Sequence, residues 1–186
     1  PYIFMFLIPA ISMRSIAEEK KEGTFELLAT RPITDWQIVQ GKYLACLLIV
    51  LLALLPTLIY YFSVYQLGIT EGNIDTGAVI GSYIGLFLLG GAFTAIGIFS
   101  SSLSKNQIIA FTIAVFLCFF AFSGFDSLSQ VLSLQTFDTY LTGLGINEHY
   151  QSISRGVLDT RDLLYFLSFI AVFLVITKTI LGGRKW

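Results

Sequence analysis

Four stretches of this chain contain no Asp, Glu, Lys or Arg: Tyr43 to Leu67, Ala78 to Ser100, Gln107 to Phe125, and Leu163 to Thr177. Nothing else in the sequence restricts the fold so strongly. In lipid every backbone N–H and C=O must be satisfied within the protein, which leaves helices as the structure for single apolar runs. A helix needs about 20 residues to cross the hydrocarbon core. Composition agrees, with 55% hydrophobic and 12% charged residues, against roughly 25% charged in a soluble domain. The expected class is an all-α polytopic membrane protein, with spans at 43–67, 78–100, 107–125 and 163–181.

The chain opens already apolar, at PYIFMFLIPAISM, thirteen residues without a charge. As a helix these reach about 20 Å, short of the ~30 Å core. We read residues 1–21 as the end of a span whose beginning, with at least one earlier helix, is missing from the numbered chain. Signal-peptide order is not present. Pro9 and Pro56 fall inside helical patterns, and each should free a carbonyl one turn back and kink its helix. In GSYIGLFLLGGAFTAIG the pairs Gly81/Gly85 and Gly91/Ala95 give a small-xxx-small face for close helix packing. Cys46 and Cys118 both lie in spans, so neither a disulfide framework nor a zinc motif is indicated.

The one long soluble run is RSIAEEKKEGTFELLATRPITDWQIVQGK, Arg14 to Lys42, with five Lys/Arg and five Asp/Glu. Placing it in the cytoplasm puts nine of the eleven Lys/Arg on that side, leaving Arg155 and Arg161 outside, as the positive-inside bias requires. Tyr60, Tyr61 and Tyr65 then mark the outer interface and Trp36 and Trp186 the inner one. The outer region, 126–162, reads as an interfacial or re-entrant helix through Leu128, Val131, Leu132 and Leu141, broken by Gly143 and Gly145. A short helix follows from an Asn147 cap to Gly156, and then Asp159 or Thr160 caps the last span.

Catalytic chemistry is missing. No G-x-x-x-x-G-K-[ST], H-E-x-x-H or G-x-S-x-G is present. His149 has no second His or nearby Cys for a metal and reads as a surface helix residue, with Arg155 paired to Asp159. No nucleic-acid site is indicated. The spans hold none of the ionisable groups that ion-coupled carriers use, so energy for any transport is expected to arrive mechanically from another subunit.

In the polar run, the first helix continues past Met13 until Gly23 stops it. Thr24 then caps a short helix, FELLAT, which Arg31-Pro32 ends. Thr34 and Gln37 have capping-box spacing and start the next helix. Phe25, Leu28 and Ala29 share one face of the short helix, and Glu22 and Glu26 the neighbouring one. Such a knob suits docking into a groove on a soluble partner; spacing serves equally well a helix lying on the membrane surface.

The pattern IPAISMRSIAEEKKEGTFELLATRPITDWQIVQGKY resembles permease subunits of ABC-2-type transporters, and within these it is most similar to the gliding-motility-associated GldF type of Bacteroidota. GINEHYQSISRGVLDTRDLLYFLSF resembles the segment leading into that family's last span. The resemblance implies an ABC-2, type V exporter-like transmembrane domain, N-terminally truncated, with about five of six spans present in a bacterial inner membrane. It implies a coupling region at 22–42, with its helix at about Gly23 to Thr30, where Glu18, Glu19, Glu22, Gly23, Thr24, Phe25, Glu26, Leu27, Leu28, Arg31 and Pro32 meet the ATPase. Ser100 to Gln107 would be a smaller cytoplasmic contact, and 126–162 the extracytoplasmic helices. Implied partners are an ABC ATPase dimer, which alone holds ATP and Mg, a second permease chain, identical or related, and membrane lipids. Two rivals stay open: an ATP-independent secondary carrier, and a membrane anchor that passes ATPase-driven force to an envelope or motility complex.

Overall fold

The computed structural model describes residues 1–25, 33–67, 75–132, 143–157 and 159–183. Among these every regular element is helical. Helix α1 (Tyr2–Ser12) passes at Met13 into α2 (Arg14–Glu22); α3 (Asp35–Leu54) passes through a 3-10 turn at Leu55–Thr57 into α4 (Leu58–Leu67). Then come α5 (Thr76–Leu103), α6 (Gln107–Phe119), which continues through a π turn at Phe120–Gly124 into α7 (Phe125–Leu132), α8 (Ile146–Ser154) and α9 (Thr160–Gly182). Four helical runs are long and apolar enough to cross a membrane: Asp35–Leu67, Thr76–Leu103, Gln107–Ser129 and Thr160–Gly182.

Helix ends follow local chemistry. The Thr34 hydroxyl accepts from the Gln37 amide, and the Gln37 side chain accepts from the Thr34 amide, so the capping box forms and α3 starts at Asp35. Asp159 caps α9 by accepting from the Arg161 amide. Among the described residues it forms no ion pair with Arg155, which is exposed. Asn147 does not cap α8: Gly145 holds that position, while Asn147 lies inside the helix and donates to Asp126 Oδ2 at 2.6 Å. Pro56 lies in the 3-10 turn, where the Thr57 hydroxyl donates to the Leu54 carbonyl at 2.6 Å. Pro9 is carried within α1; the interruption comes one turn later, at Met13. The π turn went unread in the sequence. A Cβ on Gly124 would lie 2.7 Å from Phe120 Cδ2, so only glycine lets that ring lie over the widened turn. Of the expected interfacial helix, Leu128 continues the α6–α7 run, and Leu141 lies outside the described residues.

Helix α5 is the centre of the bundle, with α1, α3, α6, α8 and α9 all packed on it. Every residue from Leu89 to Ile98 is buried. Lipid supplies no hydrophobic drive to helix association, so close packing must do it, and small residues permit the approach. The four small residues singled out in the sequence do not face one partner. Gly81 and Gly85 receive α8, with a Cβ at Gly81 only 2.5 Å from the Ile153 carbonyl oxygen; Gly91 receives Tyr43 of α3 and Ile170 of α9. Ala95 lies in a second buried cluster with Ile98 and Leu174. By contrast, α3 and α4 expose Leu44, Leu48, Leu52, Leu58 and Ile59, a surface suited to acyl chains.

Candidate functional site

The bundle has a polar end, where α2, the start of α3 and the ends of α5 and α9 meet. Helix α2 stops at Gly23, which adopts φ +73°, a left-handed conformation that glycine takes without steric cost. Three attachments hold α2 in place. Lys42 of α3 pairs with Glu19 at 2.6 Å and donates to the Ser15 carbonyl at 2.5 Å. Lys20 donates to the Ser102 carbonyl at the end of α5. Ser101 of α5 bonds the backbone at the α1–α2 junction. The first of these joins a part-buried cation to two acceptors, and a hydrogen bond to a charged group contributes about 1.5–3 kcal/mol.

Beyond Gly23 the chain is helical again at Thr24 and Phe25. The Thr24 hydroxyl donates to the Glu19 carbonyl at 3.4 Å, so it serves the end of α2 rather than capping a following helix. Phe25 does not stand at an outward tip. It is 3% exposed, in a buried cluster with Ile16, Ile38, Val39 and Leu181, against which Trp36 packs. Glu18 is half-buried, and Lys21, Glu22, Gly23 and Thr24 are exposed. Glu26, Leu27, Leu28, Arg31 and Pro32 lie outside the described residues. The chain re-emerges at Ile33 and Thr34, both exposed, beside an open cleft of about 750 Å³ bounded by Asp35, Trp36, Val175 and Lys178.

The smaller contact expected over Ser100 to Gln107 is shorter than its sequence suggests. Helix α5 runs to Leu103, and Ser100, Ser101 and Ser102 are buried, leaving Ser104, Lys105 and Asn106 as the link. Asn106 caps α6 by accepting from the Ile108 amide at 2.9 Å.

A helical bundle of four membrane-length runs, with a segment under one end tied into both α3 and α5, narrows the choice of family. A family model described as "ABC-2 family transporter protein" matches residues 2–185. The chain belongs to the ABC-2 transporter family. No curated protein matches it. An ABC-2 chain is the membrane domain of a transporter, a permease without an ATP site of its own, and the family works with ABC ATPases.

Among the described residues of this ABC-2 permease, buried polar groups are few and mostly self-contained. Ser12, Thr94, Ser100 and Thr177 each donate to the carbonyl four residues back on their own helix. Cys46 and Cys118 are free and buried. Asp162 is the one buried carboxylate among the described residues, and it lies on α9 just outside the charge-free window. Its partner is His149, which the sequence offered only as a surface residue. His149 Nδ1 lies 2.6 Å from Asp162 Oδ1, Nε2 lies 3.0 Å from the Gly143 carbonyl oxygen, and the ring stacks on Tyr165 at 4.0 Å. The Gly143 carbonyl can only accept, so Nε2 is the donor in that bond. The contact ties α8 to α9, while the Ser82 hydroxyl, donating to the Ser154 carbonyl, ties it to α5. Burial also raises Tyr150, packed against Gly85 and Phe122, above the usual phenol range.

His149 therefore acts as a clasp. His149→Ala leaves a buried carboxylate without its donor and is expected to cost about 1.5–3 kcal/mol. The measurement is trypsin cleavage at Arg155, which should quicken as α8 loosens; His149→Gln, which still donates to Asp162, should cleave more slowly than the alanine variant. Wild-type cleavage rates in both would show that the ring holds nothing.

Proposed function

We propose that this ABC-2 chain is the permease subunit of an ATP-driven exporter in a bacterial inner membrane, of the gliding-motility-associated type, and that its coupling helix lies at about Gly23 to Thr30. The observation that carries this reading is the double attachment of the segment's two ends. At one end α2 is fastened to α5 through Lys20 and to α3 through Glu19 and Lys42; at the other the Thr34 cap feeds directly into α3. A push on such a segment reaches two spans at once, so ATP binding that closes a partner ATPase dimer rocks the bundle as a lever. ATP and Mg belong to that partner. The gliding subtype rests on the residue patterns around Met13 to Pro32 and Gly145 to Phe169. Two permease chains, identical or related, pair around the path.

Phe25 faces inward; a helix over the stretch that follows, as its spacing predicts, would set Leu28 and Ala29 on the side of Phe25, Leu27 and Arg31 away from it, and Glu26 on the flank. The docking side is therefore the one bearing Leu27. Leu27→Asp is expected to abolish co-purification of the ATPase while the permease still inserts and folds; intact co-purification would overturn the assignment. An ion-coupled carrier finds little support, because the buried hydroxyls are bonded to their own helices and Asp162 is engaged by His149. Flux in vesicles reconstituted with the partner ATPase separates export from force transmission without cargo: ATP-dependent loss of an enclosed glycan or lipid-linked probe supports export, and ATP turnover without it supports the anchor.

A further inference from the structure

Ser101 makes a contact that none of its neighbours makes. Three serines in succession precede Leu103, the last residue of α5. Ser100 donates to the Ile96 carbonyl at 2.9 Å and Ser102 to the Phe99 carbonyl at 2.6 Å, the back-bonding usual for serine in a helix. Ser101, fully buried, instead turns across to the α1–α2 junction. Its oxygen accepts from the Ile16 amide at 3.0 Å and the Ala17 amide at 2.9 Å, and its hydroxyl donates to the Met13 carbonyl at 2.9 Å. A hydroxyl has one proton and two lone pairs, so its capacity is filled.

In an unbroken helix the Ile16 and Ala17 amides would bond the Ser12 and Met13 carbonyls. Here one foreign hydroxyl also accepts from both donors and donates to one of those acceptors, and the regular helix is interrupted at Met13, whose own dihedrals stay right-handed helical. A side chain inserted into the i→i−4 ladder is a recognised cause of a sharp helix kink. Pro9 does not supply the break, since its missing N–H and its ring act one turn back, at the Met5 carbonyl, and the Met13 amide bonds the Pro9 carbonyl in the ordinary way at 2.9 Å. Nor does glycine, because none lies between Tyr2 and Glu22. The interruption is imposed from α5.

We infer that Ser101 is the pin of a joint that sets the angle at which α2 leaves α1, and hence the position of Gly23 and the chain beyond it. It is a positioning residue, acting through backbone amides of another helix. Its consequence for coupling rests on the reading of the chain as an ATP-driven permease; its consequence for geometry does not. With the hydroxyl removed, the Ile16 amide is free to bond the Ser12 carbonyl, the ladder closes across Met13 and the junction angle changes. Helix α2 is about 13 Å long at 1.5 Å per residue, so a change of about 20° in the junction angle, the size of a sharp kink, moves its far end by roughly 5 Å.

The test uses the whole chain in nanodiscs without an ATPase, so a missing or uncoupled partner cannot be mistaken for a failed joint. Spin labels are placed at the exposed Lys21 and Lys178 through cysteine substitution, after Cys46→Ala and Cys118→Ala, and their separation is measured by pulsed electron resonance. Ser101→Ala is expected to shift the distance distribution by roughly 5 Å. Ser100→Ala, which removes a hydroxyl bonded only to its own helix, should leave it unchanged. If Ser101→Ala does not fold, Ser101→Cys keeps the volume with a weak acceptor and should shift the distribution in part. A wild-type distribution in whichever Ser101 variant folds would overturn the proposal, as would an equal shift in Ser100→Ala.

Discussion

Phe25→Asp is expected to loosen the polar end of the permease itself, before any partner is considered. Phe25 is almost wholly buried among Ile16, Ile38, Val39 and Leu181. Truncating a buried Phe costs about 3–5 kcal/mol, and a carboxylate in its place must be desolvated without a partner or take up a proton, which adds to the loss. The segment after Gly23 is then no longer anchored from inside. Trp36 packs on this cluster, so in a Trp186→Phe background its emission reports the site alone. A red-shifted emission and an earlier unfolding midpoint in denaturing detergent are expected for Phe25→Asp, whereas Phe25→Leu should remain close to wild type, within about 1.5 kcal/mol. Wild-type emission and midpoint in the Asp variant would mean that Phe25 is not seated where the structure puts it. The contrast with Leu27→Asp matters: both variants should lose the ATPase, one by unseating the lever and the other by spoiling its docking side, and only the first should change the isolated permease.

The features legible in the sequence are those decided within a few residues. Gly23 stops α2 because a left-handed turn there favours glycine, and the Thr34 box depends only on atoms three residues apart. The Asp159 cap is of the same kind. Charge-free runs locate the membrane helices because burial in lipid is paid for residue by residue, though the helices themselves extend into flanking polar residues. What was illegible depends on a distant neighbour. Phe25 and Leu28 read alike on a helical wheel, and only the cluster under α3 decides that Phe25 turns inward. His149 lacked a visible partner because Asp162 belongs to the next helix and is brought to it by the fold of α8. Asn147 is a good cap by type, but the nearby Asp126 takes its side chain and Gly145 takes the position. The serine triplet was itself a clue, since three hydroxyls at the end of a span ask where their hydrogen bonds go.

The same dependence on distant contacts makes Gly97→Val the most damaging single change expected in the spans. The small-residue pairs read from spacing passed over Gly97, yet it is the tightest site on α5: a Cβ there would lie 1.9 Å from Ser12 Oγ and 2.7 Å from Ser12 Cβ. Both residues are buried, so neither side chain can swing into open space. The helices must separate, and separation would also pull the α1–α2 junction off Ser101, one turn further along α5. Overpacking alone costs about 1–3 kcal/mol, and the hydrogen bonds at the junction add to it. Loss of the folded, monodisperse species after detergent extraction is the expected outcome for Gly97→Val, with Gly97→Ala failing in part. If the collision with Ser12 is the cause, Ser12→Gly should restore Gly97→Ala, and the double variant should be more stable than the sum of the two single changes predicts, as contacting residues allow. Additive losses would place the fault of Gly97→Ala elsewhere on α5 and remove the close approach of α1 as its reason.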